Sequence, residues 1–92
     1  SGTTGKPKGV LLGHDNLFWS ALACSTARGD EAGGVAFCLS PLTHTPVFVS
    51  HLLCRVLAGQ TAVLAGRFDV DALLDGIVRH GATDVPLIAG MV

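Results

Sequence analysis

Two lysines, three glycines and three hydroxyl side chains share the first ten residues of the chain, SGTTGKPKGV. Glycine permits a positive φ and a close backbone approach, while hydroxyl and ammonium groups donate hydrogen bonds to anions. Pro7 stiffens the backbone between Lys6 and Lys8. The composition therefore predicts a loop over residues 1–10 that binds a phosphate or polyphosphate. From composition alone, a solvent-exposed glycine turn remains the alternative.

The spacing within this loop differs from that of a Walker A loop. That motif requires Ser or Thr after the lysine and a helix that starts there, so that the helix amides point at the phosphate. Here Pro7 follows Lys6, and the next residues, 9–12, form an apolar run typical of a strand. We therefore exclude a Walker A loop while keeping the prediction of an anion-binding loop.

Four histidines are further candidates for chemistry. His44 lies at a predicted strand-to-helix turn, where a lone histidine is more often a capping or solvated residue than a ligand-binding one. His51 and Cys54 have a spacing that could hold a metal ion, but no second pair of ligands accompanies them, so we predict no zinc site. His14 and His80 lie at predicted helix ends and are interpreted as structural.

The elements that must position these residues alternate along the chain. Apolar runs predict strands, and apolar residues at helical spacing after a capping residue predict helices. Short strands alternating with helices indicate an α/β fold, a β-α-β-α-β-α-β segment with a mainly parallel sheet flanked by helices. The predicted strands are 9–12, 35–39, 61–65 and 83–88; the predicted helices have Asp15, Thr45 and Asp69 as N-caps and end at Gly29, Gly59 and Gly81.

Composition restricts the function classes. The 92 residues form one domain at most, 49% are hydrophobic, and the net charge is −1. Basic residues are few, aromatic residues make up 5%, and Tyr is absent, which argues against a nucleic-acid partner. Three cysteines without a C-x-x-C pair favour a reducing, cytoplasmic location. No apolar run approaches the ~20 residues of a transmembrane helix, so we predict no transmembrane segment.

The opening decapeptide resembles the phosphate loop of the adenylate-forming (AMP-dependent) synthetase and ligase superfamily, and the chain is most similar to an acyl-CoA synthetase. The resemblance continues through LLGHDNL, through PLTHTPVF, which is similar to a Pro-Leu-Phe-His motif, and through RFDVDALLDGIVRHGATDVPLIAGMV. It implies that residues 1–92 are an internal fragment of a larger N-terminal AMP-binding domain, with the phosphate loop at residues 1–10.

The resemblance also implies a reaction. A carboxylic acid attacks the α-phosphate of ATP, pyrophosphate leaves, and the acyl-adenylate passes to a thiol of coenzyme A or of a carrier's phosphopantetheine, with Mg²⁺ as the implied metal. His44 matches a histidine beside the acyl and α-phosphate sites, and the metal ligands are unknown. The residues that match the ATP phosphate loop are Ser1, Gly2, Thr3, Thr4, Gly5, Lys6 and Lys8.

This sequence differs from the usual pattern of the family at two places that bear on the substrate. Thr43 stands where an aromatic residue is usual in the histidine motif, and the stretch 39–50 contains no acidic residue that could bind a substrate ammonium group. A fatty or aryl carboxylic acid is therefore expected rather than an amino acid.

The fragment alone is expected to be inactive, because later motifs of the family are missing from it. The alternatives are a non-catalytic remnant that binds nucleotide and an unrelated α/β phosphate-binding domain.

Overall fold

The computed structural model describes residues 5–39 and 41–87. Two strands alternate with helices along this part of the chain. A continuous helical stretch, residues 45–58, links the strands and consists of α2 (Thr45–Val47), a π-helical segment (Phe48–Leu53) and α3 (Cys54–Ala58). The remaining elements are α1 (His14–Arg28), β1 (Val35–Cys38), β2 (Thr61–Leu64) and α4 (Val70–His80).

Strands β1 and β2 pair in parallel, in a register from Val35 opposite Thr61 to Cys38 opposite Leu64. Because the helical stretch 45–58 connects them, the three elements form one βαβ unit. The prediction of a parallel pair at the two middle strands is therefore confirmed. On the other side of β1, Asp84 forms a single parallel bridge with Ala36, and its carbonyl accepts a hydrogen bond from the Phe37 N–H at 3.0 Å.

The full alternating pattern predicted from the sequence is not found. Residues 7–13 form neither helix nor strand, and Leu11 is 99% exposed, so the strand predicted at 9–12 is wrong for the described structure. A strand requires a hydrogen-bonded neighbour, and none of the described strands pairs with this segment. The strand predicted at 83–88 is reduced to the bridge at Asp84, since Pro86 lacks the N–H that would continue it; its last residue, Ile88, lies outside the described residues.

The helix ends follow the sequence more closely. The Asp69 side chain accepts a hydrogen bond from the Ala72 N–H at 3.2 Å and caps α4, as predicted. The other two predicted caps are wrong: Thr45 lies inside α2, whose N-cap is His44, and Asp15 lies inside α1. Helix α1 begins at His14 with Gly13 as its N-cap, and the Asn16 side chain accepts the Gly13 N–H at 3.0 Å. None of the helices in the described part of the chain is long and apolar enough to cross a membrane.

An ion cluster centred on the buried side chains of Arg55 and Asp30 joins α1, α3 and the bridge residue Asp84. The Arg55 side chain, only 2% exposed, donates to Gln60 Oε1 at 3.0 Å and lies 3.4 Å from Asp30 and 3.6 Å from Asp84. Arg28 also donates two hydrogen bonds to Asp30, at 2.8 and 2.7 Å, and thereby lowers the pKa of that carboxyl. The cluster therefore joins α1, α3 and the segment around Asp84 through the buried guanidinium of Arg55.

Helix α4 packs on the sheet through Gly76, which is buried against the Phe37 ring. A Cβ at this position would lie 2.6 Å from Cε1 of Phe37, which is itself only 4% exposed and has little room to move. We expect Gly76→Ala to lower the free energy of unfolding by about 1–2 kcal/mol, the cost of overpacking less the gain in helix propensity. Equilibrium urea unfolding measures this change.

Gly9→Ala is the matched control, since a Cβ there meets no atom within 4 Å. We expect this variant to stay within about 0.5 kcal/mol of the parent. Equal stabilities for the Gly76 and Gly9 variants would contradict the close packing of α4 on β1.

Candidate functional site

An open cavity of about 650 Å³ lies where β1 and β2 end. Both strands are parallel, so their carboxyl ends meet at the same edge of the sheet, the usual position of ligands in α/β folds. The residues that line it come directly after the two strands or from their last positions: Cys38, Leu39, Pro41, Leu42, Leu64, Ala65, Gly66, Arg67 and Phe68.

The chemistry of this cavity is apolar with one cation. Leu39, Leu42 and Phe68 contribute hydrocarbon surface, and Arg67 is the one charged residue among the lining residues that the structure describes. Such a cavity can hold the hydrocarbon part of a small molecule while the guanidinium binds an anionic group on it. Arg67 was not predicted from the sequence as a site residue. Its position directly after a predicted parallel strand is the signal that could have identified it.

His44 lies two residues beyond the cavity wall formed by Pro41 and Leu42. It is exposed and serves as the N-cap of α2, but its side chain makes no capping hydrogen bond. Its backbone is fixed on both sides, because its N–H donates to the Pro41 carbonyl at 3.3 Å and its carbonyl accepts from the Phe48 N–H at 3.0 Å. The imidazole is therefore held at the start of the helical stretch with its side chain open to solvent.

The predicted phosphate loop is described in part. Ser1, Gly2, Thr3 and Thr4 lie outside the described residues. Gly5 has a φ of 117°, a conformation that favours glycine, and Lys6 and Lys8 are exposed. Neither these lysines nor His44 line the cavity. The structure thus places the two lysines on an exposed segment before α1 and the histidine at the strand-to-helix turn after β1.

The π-helical segment that follows His44 was not predicted from the sequence. It contains His51, whose side chain is buried and whose Nδ1 has no hydrogen-bond partner among the described residues. The Cys38 thiol donates to the His51 backbone carbonyl at 3.3 Å, which ties this segment to the end of β1. Burial, and then the charges of Arg55 and Arg28, lower the pKa of His51.

This shift predicts a pH dependence of stability. The imidazole of the unfolded chain takes up a proton near pH 6.5, whereas the buried imidazole of His51 does so only at lower pH. The unfolded state therefore binds more protons in this window, and stability falls as the pH drops below about 6.5. We expect His51 to contribute a slope of at most about 1.4 kcal/mol per pH unit, measured by urea unfolding between pH 7.5 and about pH 5.

His51→Leu is expected to flatten the stability curve over this range, because leucine removes the titrating group. His14→Leu, at an exposed position of α1, is the matched control and should leave the curve of the parent unchanged. If the free energy of unfolding changes with pH in the same way for the parent and for His51→Leu, then His51 is not buried in its neutral form.

The fit of a metal ion can be tested on the described residues. Within residues 5–39 and 41–87, no three His, Cys, Asp or Glu side chains lie close enough together to hold a metal ion. Mg²⁺ is commonly bound by one or two carboxylates together with substrate phosphates and water. We assign no metal ligand among the described residues and no reaction step to a metal here.

Comparison with known proteins gives a consistent match. The sequence profile of the AMP-binding enzyme family matches residues 1–92. 4-Coumarate–CoA ligase 5 of Oryza sativa subsp. japonica is 36% identical over 96 residues, which cover 100% of this chain and 18% of the rice protein. 4-Coumarate–CoA ligase 3 of Arabidopsis thaliana is 38% identical over 98 residues, with coverages of 100% and 17%.

Solved structures agree with the sequence match. The o-succinylbenzoate CoA synthetase (MenE) of Bacillus subtilis in complex with ATP and magnesium ion has a TM-score of 0.86 and 36% identity, over 99% of this chain and 19% of that protein. The same synthetase in complex with the acyl-adenylate OSB-AMP also has a TM-score of 0.86. The chain spans less than a fifth of the length of the curated relatives named above. Because the family profile matches its whole length, the chain belongs to the AMP-binding enzyme family.

Proposed function

We propose that residues 1–92 are part of the N-terminal AMP-binding domain of an AMP-forming acid–thiol ligase. The ligase activates a carboxylic acid as an acyl-adenylate and transfers the acyl group to the thiol of coenzyme A or of a carrier protein's phosphopantetheine. The observation that carries this proposal is the apolar cavity at the carboxyl edge of β1 and β2, with Arg67 on its wall and His44 just beyond it. The CoA ligases among the relatives support the reaction class.

The phosphate loop has a defined role in this reaction. A carboxylate oxygen attacks the α-phosphorus of ATP, and the bond to pyrophosphate breaks, so negative charge develops on the leaving group. We propose that Lys6 and Lys8 bind the β- and γ-phosphates and stabilise that charge. Both ammonium groups are exposed and thus accessible to a nucleotide. The other proposed donors are the hydroxyl and backbone groups of Ser1, Gly2, Thr3, Thr4 and Gly5.

The site supports an aryl or fatty acid as substrate. The cavity walls are mainly aliphatic and aromatic, and the stretch 39–50 contains no carboxylate that could pair with a substrate ammonium group. The names of the relatives, 4-coumarate and o-succinylbenzoate ligases, denote aryl carboxylic acids. We propose that His44 lies near the acyl and α-phosphate groups, where its imidazole donates a hydrogen bond or shapes the pocket.

The proposed cofactors and location follow from the same relatives and from the cysteines. ATP and Mg²⁺ are proposed because the Bacillus subtilis synthetase was solved with both. Cys24, Cys38 and Cys54 are free thiols, which supports a reducing, cytoplasmic location. We propose that the isolated 92 residues are inactive, because they span so small a part of their relatives.

Acid-dependent exchange of pyrophosphate into ATP tests the proposal. The full-length protein that contains this chain is incubated with ATP, Mg²⁺, labelled pyrophosphate and a panel of aryl, fatty and amino acids. We expect exchange with aryl or fatty acids and none with the isolated 92 residues. ATP binding without exchange on any acid would identify a non-catalytic nucleotide-binding remnant. The alternative of an unrelated α/β phosphate-binding domain is already excluded, because the family profile matches residues 1–92.

A further inference from the structure

Two cysteines meet where α1 packs against α3. Cys54, the first residue of α3, is fully buried, and its thiol donates to the Ala21 carbonyl of α1 at 3.3 Å. Cys24, one helical turn after Ala21, is half-buried and packs against the apolar cluster that contains Cys54. Because Cys24 follows Ala21 by three residues, its side chain lies on the same face of α1, beside the carbonyl that the Cys54 thiol contacts. One thiol of the pair is thus partly open to solvent, while the other is enclosed behind it.

A cation lies beside the pair. Arg28, one turn after Cys24 on α1, interacts with the Cys54 thiol as well as with the Asp30 carboxylate. Burial raises the pKa of Cys54, and the Arg28 guanidinium acts against this increase. Cys54 is therefore a neutral thiol at rest, and Arg28 is placed to stabilise negative charge on its sulfur as the proton leaves.

We propose that Cys24 and Cys54 are an oxidisable pair that closes a disulfide between α1 and α3 on exposure to a hydroperoxide. The partly exposed Cys24 sulfur attacks the hydroperoxide, the O–O bond breaks, and Cys24 becomes a sulfenic acid while an alcohol or water is released. The Cys54 sulfur then attacks the Cys24 sulfur, the S–O bond breaks, and water leaves with the Cys54 proton. Two thiols lose two electrons in total, and the hydroperoxide gains them.

The disulfide would join the two segments that carry the candidate functional residues. Helix α1 directly follows the loop with Lys6 and Lys8, and α3 ends the helical stretch that begins after His44. A covalent link between these helices restrains movement of one segment relative to the other. Because substrate binding and product release commonly require loops to open and close, oxidation is expected to slow the reaction of the assembled protein.

Peptide mapping of the full-length protein that contains this chain tests the proposal. The reduced protein is treated with hydrogen peroxide, remaining thiols are alkylated, and the digest is analysed by mass spectrometry without reductant. We expect a cross-linked pair of peptides that carry Cys24 and Cys54, separated again by dithiothreitol. Sulfinic acid on Cys24 beside an alkylated Cys54 would overturn the proposal, as would two thiols that stay reduced.

Cys38 provides the matched control. Its thiol, at the end of β1, is also buried, but it donates a hydrogen bond to the His51 carbonyl of the π-helical segment and not to a carbonyl of α1. Cys38→Ser should retain the cross-link, and Cys24→Ser should lose it and leave Cys54 reduced. Since a serine at the fully buried position of Cys54 is expected to impair folding, Cys24→Ser decides the question together with the map of the parent. A cross-link that persists without Cys24 would also overturn the proposal.

Discussion

Arg55→Met is expected to lower the free energy of unfolding by about 3 kcal/mol, the low end of the range for removing one partner of a buried ion pair. Methionine keeps most of the volume of the side chain but removes the charge that Asp30 and Asp84 face. Asp30, whose side chain is 2% exposed, keeps its two hydrogen bonds from Arg28, so the loss stays at this low end. Equilibrium urea unfolding at neutral pH measures the change.

The exposed ion pair of α4 supplies a control for the same substitution. Arg79 lies 3.7 Å from Asp75, and both side chains are more than two-thirds exposed. Arg79→Met should therefore change the free energy of unfolding by less than about 1 kcal/mol. If the Arg55 and Arg79 variants unfold at the same urea concentration, the ion cluster around Arg55 adds nothing to the free energy of unfolding. The Arg55 side chain would then not be buried as the structure shows it.

The parts of the fold that could be predicted are those with strong local signals. Asp69 before an amphipathic run predicts α4 because its carboxylate can cap the free amides, and the structure shows that hydrogen bond. Glycine after each long helix predicts where it ends, and Gly29 and Gly81 adopt the left-handed conformation there. The apolar runs at 35–39 and 61–65 predict strands, of which β1 is buried and β2 is partly exposed. The helical pattern between them predicts a parallel pair.

The parts that could not be predicted depend on neighbours distant in sequence. The run at residues 9–12 is as apolar as a strand, but pairing decides whether it becomes one, and no described strand lies beside it. The burial of Arg55 is equally invisible to local patterns, because its acidic partners Asp30 and Asp84 come from other parts of the chain. The π-helical segment likewise has no signature in its residue types.

The candidate site shows the same division. Residue composition was sufficient to predict an anion-binding loop, and the structure leaves Lys6 and Lys8 exposed on it. The cavity was not predicted, because its walls come from two segments more than twenty residues apart, around Pro41 and around Arg67. Only the parallel pairing of β1 with β2 brings these segments to one edge. Once both strand ends lie at that edge, the position of Arg67 after β2 places it on the cavity wall.

Lys6→Ala in the full-length protein is expected to slow acid-dependent pyrophosphate exchange by about tenfold to a thousandfold, the range for losing one donor that stabilises developing charge. The reason is the charge that accumulates on the leaving pyrophosphate, which the proposed loop neutralises with Lys6 and Lys8. The exposure of Lys6 means that its removal leaves no buried group unpaired, so stability should be unchanged. Initial exchange rates at saturating ATP, together with urea unfolding of both proteins, measure the two effects.

Two further substitutions separate this effect from a general loss of positive charge. Lys6→Arg keeps a cation in the loop and should recover part of the lost rate, whereas Arg79→Ala removes an exposed cation from α4 and should leave the rate within about twofold of the parent. Because both Lys6→Ala and Arg79→Ala lower the net charge by one, only a local contact with the phosphates can make their exchange rates differ. Equal rates for these two variants would remove Lys6 from the proposed mechanism and leave the loop without a role in the release of pyrophosphate.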